Sequence, residues 1–272
     1  MKLKINNFDK DSFAKRCDAL KDIDFSLFLD AVPVSQEELS TINILVLQEP
    51  NEYFGLHSFA IANKSIFNAI LTWNDWVLNN CSNAIFLPFG HTWFKKDQYT
   101  KDIAKSFQLS HLQGTLLKTY GHQLRHELYQ RRNEITKIPL KFYETYGNRN
   151  DIEDARKGKE FVFGDSMFGI AIENTSHNGY FTEKILDCFL LKTVPLYWGC
   201  SSITDYFNSN GIMRFDNIDD IIRKANKLTT KDYLIRQTAI EENYKLALQY
   251  IDYEQNIINM LTEIFKVNGV LK

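Results

Sequence analysis

Phe168-Gly169-Ile170-Ala171-Ile172-Glu173-Asn174-Thr175, then Gly179-Tyr180-Phe181-Thr182-Glu183-Lys184-Ile185, then Val194-Pro195-Leu196-Tyr197-Trp198-Gly199 is the stretch on which the reading of this chain turns. Its first part, from Met167 to Ile172, is a continuous apolar run, a strand whose carboxyl end delivers an acid and an amide. The second part opens a helix from Thr182 to Leu191, with Thr182 suited to the N-cap and Phe181 and Leu186 at the N′ and N4 positions of a hydrophobic staple. Val194 to Trp198 is another strand. Strand, helix, strand at this spacing predicts a right-handed crossover between parallel strands.

The helix start carries the chemistry. Unpaired N–H groups and the helix dipole favour an anion there, and Lys184 adds a full positive charge in the first turn, which suits a diphosphate. Glu183 offers acceptor oxygens for the two hydroxyls of a ribose. The same residues also read as an acid complementing the helix dipole beside a solvated lysine.

Upstream, Gly114 to Thr119 reads as a strand that turns through Gly121-His122-Gln123-Leu124-Arg125 into a helix running to about Ile135. Ligands gather at such carboxyl edges, and a guanidinium at Arg125, in the first turn or so, has the geometry for bidentate contacts to phosphate oxygens. The alternative makes Arg125 surface charge, like Arg131 and Arg132. Further upstream, the apolar run Ile42 to Leu47 is the first clear strand and ends in Gln48-Glu49-Pro50. A carboxylate at Glu49 is placed either to take a proton from a hydroxyl or simply to be solvated in a loop. Ala69 to Trp73 and Ala84 to Pro88 follow as strands, with helical turns around Ser65 to Asn68 and Trp76 to Asn80.

The first forty residues read as a helical or partly extended lead-in, and Lys141 to Lys159 as a surface loop. Downstream, Ile212 to Phe215 reads as a short strand, Ile218 to about Leu228 as a helix, and Asp232 to Val267 as one or two helices. The alternation predicts an α/β protein of two halves, residues 1–105 and 106–272.

Composition narrows the function classes. With 272 residues, 44% of them hydrophobic, 24% charged and a net charge of -2, the chain is globular and has no basic field to attract nucleic acid. The opening MKLKINNFDKDSF has no apolar stretch, and no run approaches the ~18 apolar residues that span a bilayer. A cytoplasmic location is therefore expected, which leaves room for peripheral membrane association. The four cysteines, Cys17, Cys81, Cys188 and Cys200, lack metal-like spacing and read as reduced structural thiols. Asp22-Ile23-Asp24, a close Asp-x-Asp, reads as surface charge, so no metal is expected. No G-x-G-x-x-G follows any expected strand, which argues against a dinucleotide oxidoreductase.

Phe168 to Gly199, with its ENTS, GYFTEKILDCF and VPLYWG elements in order, closely resembles the α1,3/α1,4-fucosyltransferase family, especially its bacterial members. The resemblance is firm over roughly residues 161–215 and looser over 42–135, where Leu124 to Tyr129, Leu47 to Pro50 and Phe67 to Trp73 are similar to family segments. It implies a GT-B architecture, two Rossmann-like domains facing across a cleft, the second holding the donor and the first receiving the acceptor. It implies that Arg125 and Lys184 bind the diphosphate and Glu183 the ribose, that Glu173, Asn174 and Tyr180 shape the donor pocket, and that Glu49 is the general base. The implied reaction is inverting and metal-independent. It moves a sugar, L-fucose from GDP-fucose above others, to a hydroxyl of a glycan acceptor, with no cofactor besides the nucleotide-sugar substrate. Two other outcomes stay open: the same chemistry with another nucleotide sugar, and a non-catalytic nucleotide-sugar or glycan-binding module. The family's glycine-rich turn is replaced here by Tyr143 to Arg149 with a single glycine, which bears on base or sugar recognition.

Overall fold

The computed structural model describes residues 1–6, 9–92, 94–145, 153–154 and 160–271. It divides the chain into two units, Met1–Phe89 together with Asp252–Lys272, and Gly90–Ile251.

The first unit holds β1 (Lys2–Ile5), α1 (Lys10–Arg16), β2 (Phe25–Leu29), β3 (Ile42–Leu47), α2 (Asn51–Phe54), α3 (Leu56–Ala62), β4 (Ala69–Thr72), α4 (Asp75–Asn80) and β5 (Ala84–Phe86). Its sheet is parallel throughout, in the sequential order β1-β2-β3-β4-β5. Two of these strands fall in the stretch read as a lead-in. β2 is FSLFL and is buried along its whole length, whereas β1 is an edge strand whose lysines alternate with apolar residues. Lysine on an edge blunts unwanted pairing and also hides the strand from a search for apolar runs.

The second unit holds α5 (Lys96–Tyr99), β6 (Ser106–Gln113), α6 (Tyr120–Arg131), β7 (Leu140–Glu144), β8 (Glu153–Asp154), α7 (Glu160–Phe163), β9 (Ser166–Ile172), α8 (Glu183–Leu190), β10 (Val194–Trp198), β11 (Met213–Arg214), α9 (Ile218–Ala225), α10 (Thr230–Leu234) and α11 (Gln237–Ala247). Among the described residues its six strands are parallel in the order β11-β10-β9-β6-β7-β8. The order runs outward in one direction from β6 and in the other from β9. The crevice between the carboxyl ends of those two strands is thus a topological switch point, where open α/β sheets bind ligands.

Three expectations change here. The strand expected at Gly114 to Thr119 lies earlier, at β6, because SFQLSHLQ carries polar side chains that read as loop. Two of those side chains are buried and bonded to β9: Gln108 donates to Ser166 Oγ at 3.1 Å, and His111 Nδ1 lies 2.9 Å from the carbonyl of Ile170. Part of the expected loop from Lys141 is β7, while Tyr146 to Arg149, with its single glycine, lies outside the described residues. Finally, the division falls at Phe89/Gly90 rather than between 105 and 106, and the last helix, α12 (Tyr253–Val267), belongs to the first unit. There Phe265 packs on Phe25 with ring centroids 5.1 Å apart, and Arg16 of α1 pairs with Asp252 at 2.8 Å and Glu254 at 3.0 Å.

Candidate functional site

In the second unit, α8 starts as the sequence predicts. Thr182 is its N-cap, and Phe181 and Leu186 share one buried cluster. The cap is itself held. Thr182 donates its backbone N–H to Glu173 Oε1 at 2.9 Å and its hydroxyl to Glu173 Oε2 at 2.6 Å. Glu173, the first residue past β9, thereby locks the helix start to the strand end. Its own amide donates to the carbonyl of Trp198 at 2.9 Å. Burial pushes the Glu173 carboxyl above its ordinary range, against the pull of Lys184 and the Thr182 bonds.

Lys184 lies over this bracket. Its Nζ donates to Thr182 Oγ1 at 3.0 Å and to Glu183 Oε1 at 3.0 Å, and lies 3.7 Å from Glu173 Oε2. Burial pulls its pKa down, but the Glu183 and Glu173 carboxylates outweigh that, so the ammonium is held charged. A lysine in a first turn is thus explained locally by two flanking carboxylates. The side chains of Glu183 and Lys184 remain 18% and 23% exposed, whereas that of Glu173 is fully covered.

Arg125 is no surface residue. It lies in the second turn of α6, buried, with Nε donating to the carbonyl of Ile172 at 3.0 Å and an η nitrogen donating to Asn174 Oδ1 at 2.7 Å. Arg131, on the same helix, instead makes solvent-side pairs with Glu134 and Asp219. The helix reaches the strand because position 121 is glycine: a Cβ there would come within 1.8 Å of the Glu173 carbonyl oxygen. Gly121 N–H donates to the Asn174 carbonyl at 3.1 Å. Gly199 plays the same part from β10, since a Cβ there would lie 2.4 Å from Glu173 Cγ.

Sequence reasoning passed over His122. Its Nδ1 accepts the Thr119 N–H at 3.1 Å, closing a capping box at the start of α6. Burial, then the positive charges of Arg125 and Lys184, bring its pKa down to about 4. Arg125 and Lys184 both reach the carboxyl end of β9, one on the Ile172 carbonyl and the other beside Glu173. Tyr180 is fully buried, and Glu183 and Lys184 line a hollow of about 30 Å³ with Leu112 and Ile172. The predicted donor residues therefore form two groups: a buried frame of Arg125, Glu173, Asn174 and Tyr180, and an accessible pair, Glu183 and Lys184.

In the first unit, Glu49 follows β3 at the carboxyl edge and is half-buried. Its N–H donates to the Asp30 carboxylate at 3.1 Å, and its carbonyl lies 3.0 Å from His57 Nε2. Of the Asp-x-Asp pair, Asp24 accepts from the N–H and hydroxyl of Thr41 at 2.9 and 2.8 Å, a loop tie. Among the described residues no group of histidine, cysteine, aspartate and glutamate has the arrangement of a metal site, and no helix is long and apolar enough to cross a membrane.

Two parallel sheets of this kind define the class: the fold is GT-B. The chain superposes on an α1,3-fucosyltransferase crystal structure with a TM-score of 0.58 at 16% identity, covering 95% of this chain and 90% of that one. An α1,3-fucosyltransferase solved with GDP-fucose gives 0.53 at 18% identity, covering 85% and 77%. Residues 112–246, almost half of the chain, match the model of glycosyltransferase family 10 (fucosyltransferase), C-terminal, so the second unit carries that family's domain. The Helicobacter pylori α-(1,3)-fucosyltransferase FucT is 35% identical over 77 residues, which are 27% of this chain but 16% of that protein. The aligned part of that relative is thus about a sixth of its length.

Proposed function

We propose that this chain is an inverting glycosyltransferase that moves L-fucose from GDP-fucose to a hydroxyl of a glycan acceptor. The observation that carries this reading is that Arg125, Lys184 and the first turn of α8 meet at the carboxyl end of β9, in a chain whose residues 112–246 match the fucosyltransferase family model.

In this reading Lys184 and the first-turn amides receive the diphosphate, backed by Arg125. Glu183 receives the ribose. Lys184 and Glu183 hold each other at 3.0 Å, and donor binding exchanges that pair for a phosphate on one and hydroxyls on the other. Glu173 and Asn174 shape the pocket by fixing Thr182 and Arg125, and Tyr180 does so from the buried loop ahead of α8. Glu49 takes the proton as the acceptor oxygen bonds to the anomeric carbon. The bond to the diphosphate oxygen breaks on the opposite face, and its electron pair leaves with GDP, so configuration inverts. Cationic side chains and helix amides stabilise the departing charge, a task metal ions perform in other sugar transferases.

Calorimetry with GDP, GDP-fucose, UDP and UDP-sugars in EDTA tests the donor. GDP and GDP-fucose are expected to bind without metal. Tight UDP binding with no GDP binding overturns the assignment in favour of another nucleotide sugar.

A further inference from the structure

At the carboxyl end of β3 the main chain is gripped by side chains from three other segments of the first unit. Asp30, just past β2, accepts the Gln48 N–H at 2.8 Å and the Glu49 N–H at 3.1 and 3.2 Å. Trp73, just past β4, donates Nε1–H to the Gln48 carbonyl at 2.8 Å, and His57 of α3 holds the Glu49 carbonyl at 3.0 Å. Both N–H groups and both carbonyls of one dipeptide are therefore fixed by side chains rather than by a strand ladder.

Asp30 is unusual in two respects. Its carboxylate is buried, with 2% of the residue exposed, and its backbone sits at φ 44°, in the left-handed region that non-glycine residues avoid. From the β1 side, Asn6 donates to its carbonyl. Tyr253 of α12 lies close enough that, after burial, the charges of Asp30 and Glu49 raise its phenol pKa further. A buried charge on a strained backbone is costly to keep, and what it holds here is the peptide on either side of one acid.

We propose that Asp30 is a positioning residue for Glu49, acting with His57 and Trp73 as a clamp that sets where the Glu49 carboxylate projects. The proposal rests on the reading of Glu49 as general base. Catalytic groups must be held to within a fraction of an ångström, and loss of the clamp lets the carboxylate drift while donor binding, in the other unit, is untouched.

The test is steady-state kinetics of the whole chain with GDP-fucose and a panel of glycan acceptors, scored by released GDP. Asp30→Asn keeps one acceptor oxygen and removes the second. Trp73→Phe keeps the ring and deletes only the N–H, so it guards against misfolding. Val77→Ala, in the core of the same unit, is the control for general destabilisation. Asp30→Asn is expected to lower kcat about tenfold and Trp73→Phe about threefold, with the donor KM within about twofold of the parent. Val77→Ala is expected to lower the melting temperature and leave kcat unchanged. Parental kcat in Asp30→Asn, in a protein that Glu49→Gln inactivates, overturns the clamp alone, as does an equal kcat loss in Val77→Ala. Full turnover in Glu49→Gln overturns the base reading and the clamp with it.

Discussion

At the edge of the first sheet an acid is held by its main chain, while at the edge of the second sheet two cations are held by their charged ends. Glu49 is positioned through its N–H and carbonyl. Arg125 is positioned through its guanidinium, and Lys184 through an ammonium shared among Thr182, Glu183 and Glu173. The first arrangement separates shape from chemistry, because changing the Glu49 side chain leaves its main-chain hydrogen bonds to the clamp intact. The second fuses them: a change at Arg125 alters the local charge and also unties α6 from the end of β9.

The largest expected effect tests that separation. Glu49→Gln should lower turnover by about 10²–10⁴-fold while melting temperature and GDP affinity stay at parental values. A large fall in melting temperature would show that the side chain is structural, and the contrast between the edges would fail. Arg125→Met should do what Glu49→Gln does not. It leaves the Asn174 amide oxygen and the Ile172 carbonyl without their buried donor, so urea unfolding should show a loss of about 2–4 kcal/mol, with GDP affinity falling alongside. A stable variant with weakened GDP binding would place Arg125 on the ligand rather than behind it.

The smallest effect is set by pH and belongs to the second unit. Burial holds His111 neutral, with its pKa brought down to about 3, whereas in the unfolded chain it takes a proton near its ordinary value of 6.5. The folded-state pKa is the lower one, so the unfolded chain binds more protons between these limits. Stability is complete above about pH 6.5 and is lost on acidification, by about 1.4 kcal/mol per pH unit. Urea midpoints between pH 7 and pH 5 should fall accordingly, and less so in His111→Gln.

The segment from β9 through α8 to β10 is legible in the sequence because each piece carries a local signal: an apolar run, a capping threonine, a staple. β6 is not legible, since its buried glutamine and histidine each hydrogen-bond to β9, which no local pattern reveals. The identities of Arg125, Glu183 and Lys184 could be read from motifs, but the fact that Glu173 and Tyr180 are wholly covered depends on packing. The clamp around Glu49 left almost no signal. Its members come from separate elements and are joined only by hydrogen bonds to main-chain atoms, so their spacing follows no rule. Asp30 offered one hint, an acid directly after the apolar run of β2, of the same form as Glu49 after β3.

Because α12 completes the unit that begins at Met1, order of synthesis and order of completion are reversed in this protein. On the ribosome, residues 90–251 are all made while the first 89 still lack the helix that packs on Phe25 and brings Tyr253 beside Asp30 and Glu49. The half that would hold a nucleotide can close before the half that carries the acid, and the acid reaches its final surroundings only after α12 has emerged.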